Sequence, residues 1–332
     1  MSAAPLESPA PARRMNIDFK VIGPVVALIL LLIIGAVSSD GFLSVANMTN
    51  VLSRSAFIGI IAVGATFVIA SGGIDLSVGS MAAFVAGSMI LIMNGLVPTM
   101  GAGIETLAVG MLAALVIGVV AGSVNGVLIT KAGIEPFIVT LGTMGIYRSL
   151  VTWLADGGTL SLDSGIREIY RPVYFDGILG VPWPIIAFAL VAVVGQIVMT
   201  ATAFGRHTSA IGSNEDVARY SAIRVDRVKT FAYVLQGVCV AVATLLYVPR
   251  LGSASPSTGV LWELEAIAAV IIGGTLLKGG YGRVWGTVVG VLILGFIGNI
   301  LNVTSVVSNY LNGAIQGVII VAAVLLQRSR RT

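Results

Sequence analysis

The chain has 332 residues but few of the charges on which soluble domains depend. Only 10% of it is charged, with a single histidine and a single cysteine, whereas soluble domains average about 25% charged residues. One cysteine, Cys239 inside an apolar run, excludes a disulfide framework or a cysteine-built metal centre and reads as a packing residue. The lone His207 has no paired carboxylate or nucleophile and is read as a solvated or interface residue, not a catalytic one. Acidic residues lie almost entirely outside the apolar runs, which argues against a proton- or sodium-driven pump. The segment GGTLLKGG at 273–280 is no phosphate loop, because Lys278 is neither preceded by Gly nor followed by Ser or Thr. There is no Ser/His/Asp set and no HExxH motif. No catalytic or metal-binding residue is assigned, and a membrane enzyme is disfavoured.

What the chain has instead is apolar length. It is 57% hydrophobic, with a mean hydropathy of +1.01. A bilayer core needs about 20 apolar residues per helix, and ten runs are candidates: 21–38, 56–71, 77–94, 106–130, 136–155, 179–200, 230–248, 264–277, 284–302 and 312–327. The fold class expected is all-α, a polytopic membrane protein whose surroundings are lipid. The first run has a basic flank but no clear cleavage site, so it reads as an uncleaved span. Residues 1–20 read as a disordered cytoplasmic tail, 21–327 as one transmembrane domain and 328–332 as a basic cytoplasmic tail.

Orientation follows from the one long polar stretch, 202–229. Ionised side chains cost roughly 2.5–3.5 kcal/mol each at bilayer mid-depth, so this stretch lies in water, and its basic excess places it in the cytoplasm. With both termini on that side, the cytoplasmic segments hold Arg13, Arg14, Lys20, Lys131, Arg206, Arg219, Arg224, Arg227, Lys229, Lys278, Arg283, Arg328, Arg330 and Arg331, which is 14 of the 19 basic residues. Outer loops hold Arg54, Arg167, Arg171 and Arg250, and Arg148 falls within the fifth span. Basic residues placed this way orient the chain, so nucleic acid is not an expected partner despite the sequence pI near 9.4. The outer segment 156–181 either meets a partner or is a solvated connection with Tyr170 and Trp183 as interfacial anchors.

Two spans look short and end alike. Gly72-Gly73 and Gly279-Gly280 are each followed by five residues, a Gly and a hydroxyl residue, Ser80 or Thr287. Glycine-broken short spans in two halves of a chain point to a translocation site. Tight turns and close packing explain them equally. Asp75, at a span boundary, is suited to cap the third span or to touch cargo. Gly118, Ala121, Gly122, Ser123 and Gly126 suit close helix contacts. Asn125, Thr140, Thr143, Gln236, Asn299 and Gln316 are polar groups at membrane depth that bond between helices or line a conduit. The translocation path or gate is therefore drawn through Gly72, Gly73, Asp75, Asn125, Thr140, Gln236, Gly279 and Gly280.

Four strings carry a family resemblance: GIIAVGATFVIASGGIDLSVGS at 59–80, PFIVTLGT at 136–143, AIGSNED at 210–216 and LEAIAAVIIGGT at 264–275. In this order they resemble the permease subunits of bacterial ATP-binding-cassette importers for ribose, xylose, arabinose, galactose and galactofuranose. The wording of 59–80 leans toward the galactofuranose type. The resemblance implies an inner-membrane permease for a monosaccharide, pentose or hexose. It implies two permease copies or a sister permease, cytoplasmic ATPase subunits that use ATP and Mg, and a periplasmic sugar-binding protein. It also implies that the polar stretch couples to the ATPase through Gly212, Asn214, Glu215, Ala218, Arg219 and Ile223. The chain departs from relatives at Ala222 and Ser213, where Gly is common. Nucleosides, branched-chain amino acids or a signalling sugar as cargo, and a stand-alone secondary transporter, are the alternatives.

Overall fold

A computed structural model describes residues 19–304 and scattered positions between 311 and 321. The tails expected over 1–20 and 328–332 and the span expected over 312–327 lie wholly or largely outside the described residues, as does Gln316.

Helices dominate. In chain order they are α1 (Phe19–Ser38), α2 (Val45–Ala70), α3 (Val78–Met100), α4 (Ile104–Lys131) and α5 (Pro136–Leu154). After β1 (Leu160–Ser161) come α6 (Ser164–Tyr170), α7 (Pro172–Phe175), the hairpin β2 (Gly177–Ile178) and β3 (Val181–Pro182), and α8 (Trp183–Ala201). Then follow α9 (Ala203–Ser213), α10 (Glu215–Tyr220), α11 (Val225–Leu251), β4 (Ser253–Ala254), α12 (Trp262–Ile272) and α13 (Val284–Thr304). Among the described residues seven helices, α2, α3, α4, α5, α8, α11 and α13, are long and apolar enough to cross a membrane. The all-α polytopic class expected from composition is what the chain adopts.

The centre is built by α11 lying along α4 and α2. On α4 the row Gly118, Gly122, Gly126 faces α11, and a methyl group at Gly118 would lie 2.5 Å from the carbonyl of Gly237. Without side chains in the seam the two backbones touch, the close approach that association in lipid favours. Ser123 does not join them; its hydroxyl turns back to the Val119 carbonyl at 2.6 Å. Apolar residues on the outward faces, such as Leu112, Val116 and Val120 of α4 and Leu190, Val194 and Ile197 of α8, are exposed. That pattern suits helices whose solvent on one face is hydrocarbon.

Several spans differ from their hydropathy outlines. The second is not short: α2 begins eleven residues before position 56, capped by the Ser44 hydroxyl, which accepts from the Asn47 N–H at 3.3 Å. A hydropathy ruler stops at Asn47, Asn50 and Arg54, yet a protein partner satisfies the first of them. Asn47 and Asn299 of α13 exchange two amide hydrogen bonds of 2.9 Å. The eighth is shorter than expected, since α12 has 11 residues and the chain leaves the helix at Gly273. The polar stretch 202–229 is no open loop but two short helices running into α11.

In the segment 156–181, Tyr170 is a fully buried core residue whose hydroxyl donates to the Leu245 carbonyl at 2.6 Å, not an interfacial anchor. Trp183 is 40% exposed at the start of α8, as an anchor should be. Strand β1 pairs antiparallel with β4, Leu160 opposite Ala254, so two segments expected on the outer side do meet. Arg148, within α5, spends its charge there, donating to the Pro256 carbonyl and, at 2.6 Å, to the Thr258 carbonyl. Cys239 is buried.

Candidate functional site

Three segments expected on the cytoplasmic side converge on Gly212. Gly72, Gly279 and Gly280 have φ of +83°, +85° and +85°, a left-handed backbone that strains other residues. The Gly280 N–H donates to the Ala70 carbonyl at 2.9 Å, tying the end of α2 to the turn after α12. A methyl group at Gly279 would lie 2.9 Å from the Cα atoms of both Gly212 and Gly72. One at Gly212 would sit inside the Ala70 carbonyl and the Gly280 nitrogen. The two glycine pairs thus meet each other as well as resembling each other, with the end of α9 wedged between them.

Their trailing glycines behave alike: added methyl groups at Gly79 and Gly286 would run into the carbonyls of Gly259 and Gly273. Tight turning and close packing fit this geometry.

Beyond Gly212 the polar stretch forms a compact hairpin. Asn214 caps α10, its side-chain oxygen accepting from the Val217 N–H at 3.0 Å, a contact worth about 1 kcal/mol. Ala218 is buried with Ile211 and Val225, and Ile223 packs against them. Glu215 accepts from Arg219 at 2.9 Å and from Lys229, and Arg219 also reaches Asp226 at 3.1 Å. Burial raises the Glu215 carboxyl, but its hydrogen bonds to Lys229 and Arg219 outweigh that and hold it below the usual range. The turn out of α10 puts Ala222 at φ +59°, a left-handed position. This explains the glycine expected there and marks Ala as strained. Ser213 sits against Gly280, 2.6 Å from where that residue's Cβ would be.

A second group lies within the bundle where α2 and α3 part. Asp75 is buried, and its Oδ1 accepts from the Ser77 N–H at 2.8 Å and the Ser77 hydroxyl at 2.6 Å. It therefore satisfies a backbone donor one residue before α3, while Ser77 is the cap position. Asn125 of α4 donates to the same hydroxyl at 2.9 Å. Tyr233 of α11 donates to the Ile74 carbonyl at 3.1 Å, and a methyl group at Gly73 would lie 2.5 Å from its hydroxyl. The turn between α2 and α3 is thus held from two sides.

Of the other expected path residues, Gln236 donates to the Ile61 carbonyl of α2 at 3.3 Å, one turn from Tyr233. Thr140 bonds the Pro136 carbonyl of its own helix at 2.9 Å, and Thr143 bonds the Thr140 carbonyl at 3.3 Å, so both hydroxyls donate within α5. Ser77 and Tyr233 were missed by the sequence reading. Ser77 lies within the 59–80 string, and its only signal is its spacing from Asp75. Tyr233, one tyrosine in an apolar run, carries no signal. His207 is half-buried on α9. Among the described residues no cluster of His, Cys, Asp and Glu could hold a metal ion.

The family model described as branched-chain amino acid transport system / permease component matches residues 47–324. The chain is 41% identical over 327 residues to the ribose import permease protein of Bacillus subtilis (strain 168), covering 96% of both. It is 34% identical to the D-allose transport system permease protein of Escherichia coli (strain K12), over 90% of this chain and 89% of the relative. It is also 34% identical to the L-arabinose transport system permease protein of the same strain, over 93% and 90%.

Proposed function

Since the chain belongs to the family of branched-chain amino acid transport system permease components, among the sugar-importing ABC permeases, we propose that its cargo is an aldose of pentose or hexose size. It is a multi-pass transport component of the bacterial inner membrane and not an enzyme. The observation that supports the cargo most is the 34–41% identity, over most of the chain, to permeases whose names specify ribose, allose and arabinose.

The partners of this reading are a second permease copy or sister permease, a periplasmic sugar-binding protein, and ATPase subunits that bind ATP and Mg themselves. Within this chain the hairpin at Asn214, Glu215, Ala218, Arg219 and Ile223 takes the coupling role. Its motion reaches the spans through Gly212, which touches the turn residues Gly72, Gly279 and Gly280. The turn 71–77, pinned by Asn125 and Tyr233, is the nearest element to be moved. Transmission of this kind needs two arrangements that the nucleotide biases.

The test is uptake of labelled ribose, allose, arabinose, galactose, leucine and adenosine in cells with and without this chain, under ATP depletion or a protonophore. ATP-dependent uptake of one aldose that survives the protonophore is the expected result. Uptake of leucine or adenosine alone would transfer the cargo to the amino-acid or nucleoside class.

A further inference from the structure

The hairpin of β2 and β3 carries apolar side chains that its own chain does not cover. Phe175, Ile178, Val181 and Trp183 are exposed, and Leu179 at the tip is 98% exposed. Ile178 pairs with Val181, so Leu179 and Gly180 form a two-residue turn, with φ of +53° and +80°. Left-handed turns of this kind favour Asn-Gly, and a leucine there is strained. Asparagine would suit both the angle and water. Leucine gains only where its side chain leaves water, and within this chain it does not.

Two relationships place this hairpin beside lipid. A methyl group at Gly59 of α2 would run into the Phe188 ring of α8, and one at Gly195 of α8 would lie 2.6 Å from Val63. The two helices therefore run side by side in the same direction, and Trp183, five residues before Phe188, is about level with Arg54, five before Gly59. Arg54 stands just before the apolar run of α2 and lines a cavity of about 380 Å³ with Tyr247 of α11, Trp262 of α12 and Asn299 of α13. Trp183 also begins a stripe along α8 that continues seven, eleven and fourteen residues on with the exposed Leu190, Val194 and Ile197. Positions so spaced share one helical face. It is the face turned to hydrocarbon, and the hairpin leads straight into it.

Charge separates lipid from a protein partner. From Gly177 to Gly205 there is no Asp, Glu, Lys, Arg or His, and at the base of the hairpin the Arg171 guanidinium lies 4.9 Å over the Phe175 ring. A protein interface rings its apolar core with polar groups. An apolar tip with a tryptophan at its base suits the boundary of a bilayer instead. We propose that the β2–β3 hairpin is a lipid anchor, with Ile178 and Leu179 entering the boundary of headgroups and acyl chains at the depth where Trp183 sits.

The hairpin is built to hold that position. Its strands are paired through Gly177 with Pro182 and Ile178 with Val181, and a methyl group at Gly177 would already overlap the Val181 carbonyl. Anchored there, α8 keeps its depth while its other end, continued by α9, follows the Gly212 junction.

The experiment uses the full chain in phosphatidylcholine vesicles, in a Cys239→Ala background that removes the one native thiol. The fluorophore NBD is attached to Leu179→Cys and, as a control, to Glu168→Cys, which is exposed on α6. Iodide on both faces of the vesicle quenches the label from water, and doxyl groups high on the acyl chains quench it from lipid. Iodide quenching about fivefold weaker at 179 than at 168 is expected, together with strong doxyl quenching. Equal iodide quenching at the two positions overturns the anchor. So does shielding at 179 that appears only when the ATPase or the sugar-binding protein is added, which would give the surface to a protein. Leu179→Asn, with the label moved to Val181→Cys, removes the apolar tip and suits the turn. Iodide quenching at 181 is expected to rise about threefold over the same label beside Leu179, with ATPase co-purification unchanged. Loss of co-purification would assign the leucine to the fold of the chain and reject the anchor. If Leu179→Cys does not assemble, the label at 181 decides alone, and no difference between Leu and Asn at 179 rejects it.

Discussion

The backbone N–H of Gly280 donates to the carbonyl of Ala70, 210 residues earlier in the chain, at 2.9 Å. That bond closes the last turn of α2 with a donor from the turn after α12, and it leaves a gap only wide enough for a glycine at 212. Helix ends leave carbonyls unsatisfied; here another element's backbone fills one, which makes the junction sensitive to single atoms.

Gly212→Ala tests that sensitivity. Its methyl group overlaps the Ala70 carbonyl and the Gly280 nitrogen, and overpacking of this kind costs about 1–3 kcal/mol or more. A lower melting temperature and loss of ATPase co-purification are expected. Gly142→Ala, where an added methyl group meets nothing within 4 Å, is the control and should match the wild type.

For Asp75 the issue is hydrogen bonding versus charge. Its Oδ2 and the Oδ1 of Asn125 are both buried without a hydrogen-bond donor among the described residues. Asp75→Asn keeps the acceptor that Ser77 uses and brings a donor where Oδ2 lies, so uptake should stay within about threefold of wild type. Asp75→Leu strands the Ser77 donor, at a cost of about 1–3 kcal/mol, and should reduce uptake by more than tenfold. Equal loss in both variants would mean that the negative charge itself is required.

A third expectation concerns acid. Because the hydrogen bonds to Lys229 and Arg219 depress the Glu215 carboxyl, their contribution is complete above the unfolded value, about 4.3. It is lost as pH falls through the lower folded value. Amide protection across 214–229, corrected for the intrinsic pH dependence of exchange, should be steady from pH 8 to 5 and fall only below about pH 4, and Glu215→Gln should remove that fall. The group is partly solvated, so the effect is about 1 kcal/mol or less.

Ala222→Gly relieves a left-handed alanine at φ +59° and should stabilise the hairpin by about 1 kcal/mol. Thermal melts of the complex check this, with ATPase co-purification unchanged; destabilisation would mean the added chain freedom outweighs the strain.

The class of the molecule was legible in composition, because hydrocarbon tolerates only long apolar helices and that demand is written residue by residue. The polar hairpin was equally legible as a place where charge accumulates, and the glycine pairs as breaks in apolar runs. Where a single-residue scale failed, a distant partner was responsible. Arg54 and Asn47 look like loop residues until a cavity and Asn299 receive them, so α2 is longer than hydropathy allows. Tyr170 looks like a membrane-surface tyrosine until the Leu245 carbonyl takes its proton donor into the core. The same holds for the sites: Gly72, Gly279 and Gly212 stand in three segments with no local sign of one another, and Arg54, Tyr247, Trp262 and Asn299 in four. Sequence alone determined which segments leave lipid and which turns need glycine, since those are costs borne by each residue where it stands. Only the tertiary structure decided that the turns share one junction and that polar residues of four helices share one cavity, because proximity is a property of packed helices, and no residue carries it alone.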